Sequence, residues 1–171
     1  MMTRPNTLKG LLQLVEASDG AIETRIKIQK LAYLLALQGY SEFRPFKFFY
    51  HNYGPYSREL SDTLQFATAA GLLAEDKAPV TDNISKYTYR LTEAGRAFLK
   101  ETGSSSNAFA SLIKKLQAHN WRALELAATV RFLEAAEAIS DRGKAFQAAL
   151  DLKPETKAYS KEAESILAEI S

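Results

Sequence analysis

Apolar residues recur at helical spacing through much of the chain. Leu8, Leu11, Leu12 and Val15 predict a helix over 7–17, with Asn6 as its cap and Ser18-Asp19-Gly20 as its end. Ile28, Leu31, Leu34 and Leu35 predict a second helix over 24–38, capped by Thr24 and stopped by Gly39. The aromatic run over 46–53 favours an extended strand or a packed loop, and Gly54-Pro55 breaks it. A third helix, 57–70, is capped by Ser57 and turns Leu60, Leu64 and Ala67 inward. Segments 72–75 and 86–91 read as two strands joined by a long polar loop near 77–85. Thr92 then caps a helix reaching about residue 101.

The order helix, helix, short strand, helix, hairpin is that of a winged helix, with the loop near 77–85 as the wing. The fold class expected is therefore mainly α with a small β-hairpin, a winged helix followed by an all-helical C-terminal extension. Gly103-Ser104-Ser105-Ser106 is linker-like and divides a winged-helix domain, 1–103, from a helical extension, 104–171. Helices are expected there at about 108–118, 121–139, 143–150 and 160–170. The stripe Leu126, Val130, Leu133, Ala136 would pack closely on other helices, on the first domain or on a second copy of the chain.

Composition narrows the chemistry. The 171 residues include no cysteine, so disulfides, thiolate metal sites and thiol nucleophiles are excluded. Two histidines, His51 and His119, are too few for a zinc site without cysteines, and His51 sits in an aromatic run as a packing residue. No phosphate-binding glycine loop, serine elbow or His-Glu-x-x-His motif occurs, so neither an enzyme nor a bound cofactor is expected. With no apolar leader or membrane-length stretch, the expected setting is the cytoplasm. Net charge is only +2; residues 1–103 hold 13 basic and 11 acidic side chains, and 104–171 hold 9 of each. Arg25, Lys27 and Lys30 cluster near the start of the second helix, where they oppose its dipole, so helix stability does not explain them.

Two segments carry a family likeness. Arg25-x-x-x-Gln29-Lys30-Leu31-x-Tyr33-Leu34-Leu35, with Tyr50-x-x-Tyr53-Gly54-Pro55-Tyr56-Ser57-x-Glu59-Leu60, resembles the prokaryotic YwgA-like family. More remotely it resembles the Panacea domain of SocA-like antitoxins. Tyr89-Arg90-Leu91-Thr92-Glu93-x-Gly95 closes the hairpin as in many winged helices, and residues 124–170 resemble the YwgA-like C-terminus. The Thr-His and Pro-Trp pairs of Panacea domains have no counterpart beyond His119-Asn120-Trp121. The resemblance implies a winged-helix fold in a regulatory or toxin-neutralising setting.

Two uses of the third helix stay open. Ser57, Arg58, Ser61 and Gln65 run along one face, where Arg58 suits guanine and Gln65 suits adenine in a major groove. Lys77 and Lys86 on the wing would meet the phosphate backbone, although Glu59, Asp62, Asp76 and Asp82 lie close by. The expected partner is duplex DNA, bound by a homodimer. The alternative is a small protein partner such as a toxin, met by the same helix and by Tyr53 and Tyr56 of the aromatic turn. That turn also has a plain structural reading: Gly54 and Pro55 set the backbone, Ser57 caps the helix, and the tyrosine rings pack over the core.

Overall fold

A computed structural model describes residues 4–51, 54–82, 84–103 and 108–170. The chain is mainly helical with two small antiparallel sheets. Helix α1 (Arg4–Ala17) is followed by β1 (Ala21–Glu23) and α2 (Arg25–Leu37). Strands β2 (Phe49–His51) and β3 (Gly54–Tyr56) precede α3 (Arg58–Ala69). Next come β4 (Leu73–Thr81), β5 (Ile84–Leu91) and α4 (Glu93–Glu101). Helices α5 (Ala110–Leu116), α6 (Trp121–Ala136) and α7 (Arg142–Leu152), a 3-10 turn (Pro154–Tyr159) and α8 (Ser160–Glu169) complete the order.

The expected caps at Thr24, Ser57 and Thr92 are present: each side chain accepts the backbone N–H three residues on. Asn6 is not a cap, because α1 begins at Arg4 and carries Asn6 within it. Strand β1 went unread because three residues are too few for an alternating pattern. It pairs with β5, placing Ile22 opposite Tyr89, and the first sheet runs β1-β5-β4.

Two sequence expectations change shape. The long loop near 77–85 is mostly paired strand, since β4 and β5 stay in register out to Thr81 opposite Ile84, with one irregularity between Pro79 and Thr81. Pro79 is tolerated because β4 is an edge strand, where a missing N–H costs no ladder bond. In the aromatic run, Gly54-Pro55 does not simply end a strand. Phe49–His51 folds back on Gly54–Tyr56, with Tyr50 opposite Pro55, as a separate two-stranded sheet.

One continuous core joins the N-terminal elements to the C-terminal helices. Helix α6 is its axis. Every residue from Ala123 to Val130 is buried, with α2, β3, α7, α8 and the 3-10 turn packed around it. The expected single stripe is thus too narrow, and its last member, Ala136, is exposed. Of the roles expected for α6, packing within the chain accounts for residues 123–130, all of which are buried in it. Tyr40 and Phe43 from the α2–β2 connection meet Phe109 edge-on at 5.4 and 5.3 Å, tying the start of α5 to the same core.

Candidate functional site

The turn into α3 is held from behind by α2. Gln29 and Lys30, both buried, stand side by side on that helix. The Gln29 amide takes both backbone groups of Ser57: Oε1 accepts from its N–H at 2.8 Å, and Nε2 donates to its carbonyl at 2.9 Å. Lys30 Nζ donates to the Pro55 carbonyl at 2.9 Å. Gly54 lies where φ is +94°, and a Cβ there would come within 2.8 Å of Thr129 Oγ1 on α6. Glycine is required both for the backbone angle and for this close approach.

Lys30 belongs to a buried charge cluster. Glu125 on α6 is fully buried and meets Lys153 Nζ at 3.2 Å and Arg122 Nη1 at 3.2 Å. Arg122 also reaches Glu155 at 3.6 Å. Burial lowers the Lys30 ammonium to about 7, with Glu125 partly restoring the charged form and Lys153 opposing it. Of the two buried lysines, Lys153 pairs with Glu125, whereas Lys30 bonds the Pro55 carbonyl and lies only in the field of that carboxylate.

Beyond that brace, α3 presents Arg58, Glu59, Asp62, Gln65, Phe66 and Ala69 to solvent, with Ser61 and Thr68 half-buried on the flank nearer the hairpin. A cleft of about 460 Å³ runs between α3 and the β4–β5 hairpin, bordered by Arg25, Ser61, Gln65, Thr68, Glu75 and Tyr87. The Arg25 guanidinium lies 4.3 Å from the centre of the Tyr87 ring, and Lys77 Nζ lies 5.9 Å from it on the same hairpin. Tyr89 donates to Glu75 at 2.6 Å, and burial with this bond pushes its phenol up. Thr24, next to Arg25, holds φ at +69°, unusual for a β-branched residue, with its N–H on the Tyr87 carbonyl at 2.7 Å.

The structure distributes the expected contact residues unevenly. Arg58, Gln65 and Lys77 are exposed and Ser61 is half-exposed; of these, Ser61 and Gln65 border the α3–hairpin cleft. Ser57 is fully buried, its hydroxyl occupied by the Leu60 N–H and its backbone by Gln29, so it supports the helix and contacts nothing outside. Lys86 pairs with Glu23 at 2.6 Å, and Arg90 with Asp76 at 2.6 Å. Tyr56 is half-buried, its ring 4.9 Å from His51 and 5.8 Å from Phe49. Tyr53 lies outside the described residues. Glu59 does not face outward as an isolated charge; it accepts from the Lys47 N–H at 3.0 Å and the Ser57 hydroxyl at 3.2 Å.

Arg25 and Tyr87 are the residues that sequence reasoning missed. The unexplained basic cluster at the start of α2 pointed towards Arg25, and its three members have three separate tasks. Lys30 braces the turn, Lys27 donates to the Gln117 carbonyl, and Arg25 borders the α3–hairpin cleft. His119 bridges Glu162 at 3.0 Å and Glu169 at 3.3 Å, fastening the α5–α6 turn to α8. Among the described residues no group of acidic or histidine side chains could hold a metal ion, and no helix is long and apolar enough to cross a membrane.

The class defined by this architecture is a small, mainly helical protein that exposes one helix beside an antiparallel hairpin. Within that class the chain belongs to the YwgA-like family. It is 30% identical over 135 residues to the uncharacterized protein YwgA of Bacillus subtilis (strain 168), which spans 79% of this chain and 80% of that one. No family model matches the chain, and the likeness to the Panacea domain has only the motifs quoted above behind it.

Proposed function

We propose that the chain is a winged-helix regulatory protein that binds duplex DNA as a dimer, with no catalytic chemistry of its own. The order α1-β1-α2-β2-β3-α3-β4-β5, with β2–β3 a separate insertion between α2 and α3 and the main sheet ordered β1-β5-β4, supports the winged-helix reading. The observation that carries the DNA reading is the solvent face of α3. It offers Arg58 and Gln65 from a rigidly mounted helix, with Asp62 exposed beside them where it could accept from a cytosine amino group, and with the Glu59 carboxylate engaged by the Lys47 N–H and the Ser57 hydroxyl. Ser61, Thr68 and Ala69 are small, so a groove edge can come close to the helix. Lys77 would meet phosphate beside the groove.

Fluorescence anisotropy of a labelled random-sequence duplex, titrated at several salt concentrations, tests this. The expected result is a Kd on the order of 10⁻⁴ to 10⁻⁶ M at physiological salt, tightening as salt falls. Absence of binding at low salt overturns it.

A second reading has its own support. Two hairpin cations, Lys86 and Arg90, are already paired with Glu23 and Asp76, while Val80 and Ile84 near the hairpin tip are 61% and 60% exposed. Neutralised charge with exposed aliphatic side chains suits a protein partner better than phosphate. On this reading the chain is an antitoxin-like or adaptor module. Recovery of one small protein at fixed stoichiometry, together with failure to bind DNA, is the result that favours it.

A further inference from the structure

A second cleft, of about 210 Å³, opens between α2 and the β2–β3 hairpin, directly behind the α3 mount. It is lined by Arg25, Ile26, Gln29, Lys30, His51 and Tyr56. The surface that it exposes is largely apolar, although Arg25, Gln29, Lys30 and His51 are among its lining residues. Tyr56 lies partly stacked on His51, with ring planes 30° apart, and Ile26 is half-buried. A dry apolar cavity of about 150 Å³ accommodates benzene, so this cleft has room for a single substituted ring.

The charge around it has one sign. Among the described residues no acidic side chain lines the cleft, whereas Arg25 and Lys30 both do. Lys30 is committed to the Pro55 carbonyl and lies in the field of Glu125. Arg25 is exposed at the rim, rests on the Tyr87 ring, and forms no ion pair among the described residues. A guanidinium in that position suits a carboxylate, which it can hold through two parallel hydrogen bonds.

We infer that this cleft is a binding site for a small aromatic carboxylate, its ring between Ile26 and Tyr56 and its carboxylate on Arg25. Three lining residues connect the site to α3. Arg25 also borders the α3–hairpin cleft, Gln29 clamps Ser57, and Tyr56 immediately precedes it. A ligand that draws Arg25 off Tyr87 therefore changes the cleft beside α3, and shifts its affinity for a partner by the ligand's preference between the two arrangements. The ligand site rests on the cleft alone; the effect on DNA affinity rests on the DNA-binding reading.

The test is an amide-resolved NMR titration of the full chain with benzoate, and separately with benzyl alcohol and with acetate. Benzoate is expected to bind saturably, with a Kd on the order of 1 mM or tighter, moving the resonances of Ile26, His51, Tyr56 and Ser57. Benzyl alcohol and acetate, each lacking one half of the ligand, are expected to bind at least about tenfold more weakly. Ile26→Trp fills the cleft and should abolish binding with the dispersed spectrum retained. Arg25→Gln, which removes the charge together with the contact on the Tyr87 ring, should erase the preference for benzoate over benzyl alcohol while the dispersed spectrum is retained. Shifts that never saturate, or that scatter over the surface, overturn the site. So does benzoate affinity unchanged in Arg25→Gln. Because the readout is ligand binding, a failure of DNA binding leaves it standing, and only the coupling to α3 would then be lost.

Discussion

The side-chain amide of Gln29 pairs with the backbone of Ser57 as one strand pairs with another, accepting from its N–H at 2.8 Å and donating to its carbonyl at 2.9 Å. Both residues are buried, so neither bond has water to replace it. This pair explains why a Gln-Lys-Leu helix and a Tyr-Gly-Pro-Tyr-Ser turn occur together: the first is the clamp and the second is what it holds. Gln29→Ala strands a buried N–H and is expected to cost about 1–3 kcal/mol, read from urea denaturation. Gln65→Ala, on the exposed face of the neighbouring helix, should stay within about 0.5 kcal/mol. Equal effects would mean that the clamp contributes nothing.

Gly54 makes a similar prediction through sterics. At φ +94° any side chain strains the backbone, and the new Cβ would press on Thr129 Oγ1 at 2.8 Å. Gly54→Ala should therefore destabilise by roughly 2 kcal/mol or more. Adding Thr129→Ala removes the clashing oxygen and leaves only the backbone strain, so the double variant is expected to be more stable than the sum of the singles predicts. Strict additivity in a double-mutant cycle would show that the close approach carries no cost.

Much of this brace was legible in the sequence, but from one side only. The turn chemistry of Gly54, Pro55 and Ser57 is local and could be read directly. The reason for Gln29 and Lys30 could not, because their partners lie 28 and 25 residues away and are backbone atoms. The caps at Thr24, Ser57 and Thr92 were legible because each acts within three residues. Strand β1 was not, being three residues long and defined by its pairing to β5. Helical geometry alone puts Ser57 in line with Arg58 and Ser61, whereas in the structure it is buried and caps the helix. Only the packing of α2 shows that its end of the helix is covered. Gly95 had no reading beyond its motif; a Cβ there would meet the Leu72 carbonyl at 2.3 Å, so the closing helix depends on glycine to pack against the start of β4.

The hairpin ion pairs separate the two functional readings. Glu23 and Asp76 each occupy a cation that could otherwise meet phosphate, and both pairs are exposed, so breaking them has little effect on stability. Glu23→Gln with Asp76→Asn is expected to tighten nonspecific DNA binding and to steepen its salt dependence by about one charge for each cation released. Measured on a duplex selected for specific binding and on its single-base variants, Arg58→Ala should weaken specific binding by roughly 1–3 kcal/mol and relax preference at one base pair. A salt slope that does not respond to freeing Lys86 and Arg90 would place the hairpin away from any phosphate backbone and favour a protein partner.

Buried Lys30 gives stability a pH dependence of definite sign. Burial lowers its ammonium from 10.5 to about 7 in the folded chain. Between those values the unfolded chain carries the extra proton, so folding is increasingly favoured as pH rises, by at most about 1.4 kcal/mol per pH unit from this one group. Lys27, also lowered by burial, acts in the same direction more weakly because it is less deeply buried. Above about pH 10 the sign reverses, since burial raises Tyr33, Tyr50 and Tyr89, and the unfolded chain then loses phenolic protons that the folded chain retains. Urea midpoints should climb from pH 7 to 9 and fall beyond about 10. Lys30→Met should flatten the rising limb and leave the falling limb in place. A rising limb of undiminished slope in that variant would show that Lys30 keeps its proton across the range, held by Glu125 more firmly than its burial opposes it.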